Sequence, residues 1–200
     1  GGEIAAPVRN WDWLTDYLQL DADLDALVAT FPRDPRLLEA VQRCRGLRLL
    51  RQEPWECLAS FILSSTKQIV QIRQIIAELC LSFGESIEVP AGHEPVFAFP
   101  SADRLASCSE EELRGCKMGF RARYLLETAR QVSRGDVDLA HLGEMGIQRA
   151  RATLMELPGI GRKIADCVLL FACGYLAVFP VDVWVTRELR QVYFPKRRPK

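Results

Sequence analysis

The chain has 200 residues, of which 48% are hydrophobic and 26% charged, and its formal net charge is zero. This composition is typical of a globular protein with a hydrophobic core, and it excludes a collagen-like or low-complexity chain. No apolar run is long enough for a membrane helix, and the first residues lack the pattern of a secretory signal.

Helix start and stop signals recur along the chain and predict about ten short helices. Asp34 and Pro35 are typical of an N-cap followed by a first-turn proline. The helix that begins at Pro54 is apolar around most of its circumference, which predicts a central buried element. The next helix ends at Gly84, and only the segment near Phe97 is weakly extended. The pattern therefore predicts a mainly α protein.

We expect three segments along the chain. Residues 1–50 form an N-terminal helical segment that packs with the C-terminal helices, and residues 51–150 form a central helical lobe. Residues 151–200 contain a glycine turn with a lysine and an aspartate that are discussed below. The seven cysteines include no Cys-x-x-Cys pair, so we expect reduced thiols in an intracellular protein and no metal site.

Charge is distributed unevenly along the chain. Residues 1–113 have a net charge of −8 and residues 114–200 a net charge of +8. This asymmetry favours a basic face directed at a polyanion, although an uneven scatter over the surface remains an alternative. We expect Arg121, Arg130 and Arg134 on the solvent-exposed face of an amphipathic helix.

The sequence L-P-G-I-G at residues 157–161 separates two helical patterns and predicts a helix-hairpin-helix. Gly159 and Gly161 allow backbone angles closed to other residues and a close approach to a partner. The N–H groups of the turn and of the second helix would suit a DNA phosphate. An ordinary turn between two helices is the alternative.

Lys163 lies in the first turn of the second helix, ahead of a strongly apolar run. The helix dipole and the apolar neighbours should both lower the pKa of its amine, as a nucleophile requires. Cys167 lies four residues later on the same helical face. Asp182 should cap a helix that runs to about Tyr193, and an oriented carboxylate there could stabilise positive charge on a sugar.

With these motifs in view, the chain resembles the helix-hairpin-helix–Gly-Pro-Asp DNA glycosylase superfamily, and within it the 8-oxoguanine DNA glycosylase branch. The resemblance covers roughly residues 34–194 and rests on four motifs in the family's order. The motifs are L-R-L-L-R-Q-E-P-W-E-C-L-A-S-F-I (47–62), G-F-R-A-R-Y (119–124), L-P-G-I-G-R-K-I-A-D-C (157–167) and V-F-P-V-D-V (178–183).

The resemblance implies a two-lobed helical fold with the hairpin at the edge of a cleft, into which a damaged base is flipped. Lys163 matches the family's catalytic lysine, which attacks the sugar and forms a Schiff base, and Asp182 matches the catalytic aspartate. Cys167 matches the cysteine that packs against the flipped purine. Phe120 matches an aromatic wedge, and Arg121 matches an arginine that contacts the base opposite the lesion.

The chain departs from the family's pattern at several positions. Thr66, Lys67 and Gln68 occupy the place of an asparagine triplet in the animal members. Thr66 and Gln71 replace an asparagine and an arginine that help to read the opposite cytosine, which predicts greater tolerance for other bases there. Trp184 stands where a histidine is usual. The chain begins without the family's N-terminal sheet and stops before its last helices, as expected of a fragment or a compact bacterial-type member.

The resemblance favours a bifunctional glycosylase and strand-cleaving lyase that acts as a monomer on double-stranded DNA containing a damaged base. It implies no cofactor, apart from a monovalent cation that the backbone carbonyls of the hairpin could hold. It places the protein in the bacterial cytoplasm or a eukaryotic nucleus, with no role at a membrane. A monofunctional glycosylase for alkylated bases and a non-catalytic helix-hairpin-helix DNA-binding module are the alternatives, and neither requires Lys163.

Overall fold

The computed structural model describes residues 11–64 and 67–194, and it confirms the mainly α class. The helices are α1 (Asp12–Leu18), α2 (Leu24–Ala29), α3 (Pro35–Arg43), α4 (Pro54–Ser64), α5 (Ile69–Phe83), α6 (Ala102–Ala106), α7 (Glu110–Gly115), α8 (Arg121–Ser133), α9 (Ile147–Met155), α10 (Arg162–Phe171) and α11 (Val183–Glu188). A 3₁₀ helix spans Ala140–Glu144, and a π-helical turn spans Leu189–Tyr193. Strands β1 (Ser86–Ile87) and β2 (Val96–Phe97) form one antiparallel pair.

The chain divides into two compact units, residues 1–52 and residues 53–200. The first unit contains α1 to α3, and its third helix begins as the sequence predicts. The carboxylate of Asp34 accepts the backbone N–H groups of Arg36 and Leu37 at 3.0 and 2.8 Å. The segments expected at 51–150 and 151–200 both fall almost wholly within the second unit.

Helix α4 is the centre of the second unit, as its apolar sequence predicts. It packs against α5, α8 and α10. Its buried residues are Trp55, Cys57, Leu58, Ala59, Ile62 and Leu63. The indole N–H of Trp55 donates to the backbone oxygen of Pro100 at 2.9 Å, which satisfies the one polar atom of this side chain inside the core.

All seven cysteines are free thiols, as expected, and four of them are buried. Burial raises the pKa of Cys57, Cys108, Cys116 and Cys167. These thiols are therefore neutral core groups near pH 7. No helix within residues 11–64 and 67–194 combines the length and the apolar character needed to cross a membrane.

Candidate functional site

Helices α9 and α10 form the predicted hairpin, and its turn is anchored by two buried side chains, Leu157 and Ile160. Gly159 has φ +74°, and a Cβ added there would lie 2.6 Å from Cδ2 of Tyr124. Glycine is therefore required at this position both by the backbone and by the ring packed against it. Gly161 has φ −93°, and an added Cβ would meet no atom within 4 Å. The protein's own packing does not require glycine at position 161.

This contrast predicts different costs for two alanine substitutions in the same turn. Gly159→Ala should lower the free energy of unfolding by about 2 kcal/mol or more, because alanine is strained at positive φ and the Tyr124 ring must move. Gly161→Ala should cost under about 1 kcal/mol, since only the N-cap preference changes. Urea unfolding of both variants measures the difference. Equal costs would show that the Gly159 contact with Tyr124 does not shape the turn.

A buried ion pair joins the two helices of the hairpin. The guanidinium Nε of Arg151 on α9 donates to Oδ1 of Asp166 on α10 at 2.5 Å, and Asp166 is 4% exposed. Nε of Arg162 lies 3.7 Å from the other carboxylate oxygen. Asp166 was not among the residues predicted for the site. The acidic residue within the apolar run of α10 could have indicated this ion pair, because a buried charge needs a partner.

Lys163 is partly buried in the first turn of α10, and its amine faces helix α4. Nζ lies 5.7 Å from the centroid of the Phe61 ring, and this ring stacks on Phe171 with centroids 5.8 Å apart. An aromatic face attracts an ammonium group by roughly 0.5–1 kcal/mol. The two rings thus form an apolar wall that restricts where the amine can lie. The sequence did not indicate that Phe61 contacts the lysine, since an aromatic residue in an apolar helix is usually a core residue.

Asp182 is the N-cap of α11, as predicted. Its Oδ1 accepts the backbone N–H of Val185 at 2.8 Å, and its own backbone oxygen accepts the N–H of Thr186 at 3.0 Å. Helical structure then continues through the π-helical turn to Tyr193, which was the expected end. The cap fixes the carboxylate's orientation through one of its two oxygens.

The pKa of the Cys167 thiol is influenced by both Lys163 and Asp182. Its side chain is 4% exposed, and burial raises its thiol pKa. The positive charge of Lys163 opposes this rise, and the negative charges of Asp166 and Asp182 add to it. The charges of both predicted catalytic groups thus influence the pKa of the same thiol.

The predicted wedge, Phe120, is 55% exposed at the start of α8. Its ring meets Tyr124 edge-on with centroids 6.0 Å apart, and Tyr124 is the ring that packs on Gly159. A chain of aromatic contacts thus joins the exposed Phe120 to the hairpin turn.

Arg121 does not lie on an exposed face, so that expectation is wrong. Arg121 is 9% exposed, and its guanidinium carbon lies 4.7 Å from the Phe120 ring centroid and 5.7 Å from that of Tyr124. Stacking on two rings outweighs the preference of the guanidinium for water. Arg134 is exposed as expected and pairs with Asp136 at 2.7 Å. Sequence periodicity does not predict the burial of Arg121, because this burial depends on how the side chains of Phe120 and Tyr124 are oriented at the start of α8.

Thr66 falls outside the described residues. Gln71 lies in the first turn of α5, where its side-chain Oε1 accepts the backbone N–H of Gln68 at 3.0 Å. It is grouped with Lys67 and Lys117 around a depression that Lys163, Cys167 and Asp182 do not line. Within the described chain, no group of three or more histidine, cysteine or acidic side chains has an arrangement that could hold a metal ion.

The sequence and the fold are similar to those of known DNA repair proteins. Residues 59–200 match the family model described as HhH-GPD superfamily base excision DNA repair protein. Residues 9–58 match the model described as 8-oxoguanine DNA glycosylase, N-terminal domain. The similarity to this branch is therefore confirmed, and it extends beyond the expected residues 34–194.

Individual relatives show the same similarity. The chain is 37% identical over 177 residues to N-glycosylase/DNA lyase OGG1 of Arabidopsis thaliana, covering 86% of this chain and 48% of the relative. The solved structure of MBOgg1 in complex with a low affinity DNA ligand superposes with a TM-score of 0.90 and 35% identity, covering 94% of this chain and 65% of that one. The apo 8-oxoguanine glycosylase/lyase of Clostridium acetobutylicum gives a TM-score of 0.85 and 32% identity, covering 90% and 62%. The chain thus spans about half the length of its Arabidopsis relative.

Proposed function

Because the chain belongs to the HhH-GPD superfamily of base excision DNA repair proteins, we propose that it removes 8-oxoguanine from double-stranded DNA and then cleaves the strand at the abasic site. One observation carries this proposal. An amine, Lys163, lies in the first turn of the hairpin's second helix with Nζ 5.7 Å from the centroid of the Phe61 ring, and the carboxylate of Asp182 is held in place as the N-cap of α11. A module that only binds DNA would need the hairpin but not this pair of groups.

In the proposed reaction, the neutral amine of Lys163 attacks C1′ of the deoxyribose. The bond between C1′ and the base breaks, and its electron pair leaves with the base, which takes up a proton. Opening of the sugar ring converts the adduct into an imine between Nζ and C1′. Loss of a C2′ proton from this imine then eliminates the 3′ phosphate, which cuts the strand.

Asp182 supports the step in which positive charge develops on the sugar. Its carboxylate is already oriented by the cap to Val185, so little reorganisation is needed when the charge appears. Cys167 is a buried neutral thiol, which suits contact with the face of a flipped purine. The chemistry proposed here uses groups of the chain itself and no cofactor.

The hairpin and Phe120 supply contacts with DNA. The turn around Gly161 has space beside it, so a phosphate can approach its backbone N–H groups. Phe120 presents an exposed ring that can fill the gap left by a flipped base. For Arg121 to reach the opposite base, its guanidinium must leave the stack formed with Phe120 and Tyr124.

A product assay tests the proposed function. The purified chain is incubated with a duplex that carries one 8-oxoguanine, and both the free base and strand cleavage without added alkali are measured. We expect both products, because the amine of Lys163 releases the base and then forms the imine from which the strand is cleaved. A control duplex with 3-methyladenine should give neither product. Base release from the alkylated duplex alone, with no strand cleavage, would favour the monofunctional alternative and contradict the proposal.

A further inference from the structure

A depression of about 440 Å³ lies between α5 and the turn that follows α7. Its lining includes two lysines, Lys67 and Lys117, and two glutamines, Gln71 and Gln74. Glu78 also borders it, about 10 Å along the helix from Gln71 at 1.5 Å per residue. The two lysines outnumber Glu78, so the charged side chains of the lining have a net positive charge, and the glutamines add hydrogen-bond donors.

Lys117 adopts a backbone conformation that lysine rarely takes. Its φ is +63°, and among the described residues only one other non-glycine residue, Gln19, has a positive φ. The left-handed conformation costs a residue with a Cβ roughly 1–2 kcal/mol, and such strain is concentrated at functional sites. The preceding Cys116 is buried, whereas Lys117 is exposed. The turn therefore holds an amine at the rim of the depression at some cost to stability.

Gln71 contributes donors to the same place. Its Oε1 accepts the backbone N–H of Gln68 at 3.0 Å, in the first turn of α5. Since this bond occupies the carbonyl oxygen, the group that Gln71 offers a ligand is its amide nitrogen with two N–H donors. The ammonium groups of Lys67 and Lys117 are also donors only. We call these three residues the donor pocket.

We propose that the donor pocket binds one backbone phosphate of the DNA strand opposite the damaged base. This inference rests on the proposed function, and it deepens it by adding a contact with the undamaged strand. A phosphate fits a set of donors with a positive charge, and lysine binds phosphate as a point charge. A base edge fits less well, because it has no negative charge to match the two ammonium groups.

The position of the donor pocket indicates which strand it contacts. Lys117 lies three residues before the exposed Phe120 in the chain, and Lys67 follows Thr66 directly. By the family resemblance, Phe120, Thr66 and Gln71 border the base opposite the lesion. Arg121 presents little of its charge there, because its guanidinium is buried against the rings of Phe120 and Tyr124. The lysines therefore supply the accessible positive charge of the donor pocket.

The experiment measures the affinity of the chain for a duplex with a non-cleavable abasic analogue at several salt concentrations. Lys117→Gly removes the amine and should be at least as stable as wild type, because glycine suits the left-handed conformation. We expect the slope of log affinity against log salt to fall by about 0.9 for each phosphate contact that is lost. Lys67→Gln should act in the same direction. Lys117→Arg should keep most of the slope, and Arg134→Gln is the control for loss of a surface charge elsewhere.

A neutral methylphosphonate placed at single positions then identifies the strand. At one position of the opposite strand, the substitution should weaken wild-type binding but leave the binding of Lys117→Gly unchanged. Coupling only to the lesion strand would overturn the inference, as would an unchanged salt slope in both lysine variants. A change only in the preference for the base opposite the lesion would overturn it too, since the donor pocket would then read a base. If the wild type binds DNA but releases no 8-oxoguanine, the proposed function fails instead.

Discussion

Lys163→Gln is expected to abolish base release and strand cleavage while the protein keeps its fold and binds damaged DNA. Glutamine has no basic amine, so neither attack on C1′ nor imine formation can occur. The loss should reach several powers of ten in the single-turnover rate, and each power of ten corresponds to about 1.4 kcal/mol of barrier. The fold should survive, because the contact with Phe61 is worth only roughly 0.5–1 kcal/mol.

Arg162→Gln provides the matched control for this variant. Arg162 is the neighbouring residue on α10, its side chain is 76% exposed, and the substitution removes the same charge. It should weaken DNA binding at most, and it should retain base release at saturating protein. If both variants lost base release equally, charge near the hairpin rather than the amine would explain the result, and the role of Lys163 would be contradicted.

Asp182→Asn is expected to reduce the single-turnover rate about 100- to 1,000-fold, which is typical of losing one oriented electrostatic group. Asparagine caps a helix about as well as aspartate, so the free energy of unfolding should change little. Asp182→Ala should lose the same rate and, in addition, roughly 1 kcal/mol of stability, because the bond to Val185 is gone. A normal rate for the asparagine variant would leave Asp182 with only its structural role.

Local signals in the sequence were sufficient for much of the fold and for part of the site. Helix caps at Asp34 and Asp182 were predictable because capping depends on a residue and its next three neighbours. The hairpin turn was predictable for the same reason. The residue types that mark a helix cap or a tight turn can be recognised without knowing what packs against them.

Other features of the site were not predictable. The position of Lys163 over Phe61 requires α4 and α10 to pack together, and the sequence pattern does not relate these helices. Arg121 stacks on nearby rings of its own segment, Phe120 and Tyr124, but the hydrophobic pattern does not determine the side-chain conformation that buries it. The positive φ of Lys117 was also unexpected, since lysine is not a residue that marks this conformation.

Mapping the covalent adduct formed with damaged DNA identifies the nucleophile of the proposed reaction. The chain is mixed with a duplex containing 8-oxoguanine, the imine is reduced with borohydride, and the modified peptide is identified by mass spectrometry. We expect a single adduct on the peptide that contains Lys163, with the added mass on its side-chain amine. An adduct on another amine, such as that of Lys67, or base release with no adduct at all, would contradict it.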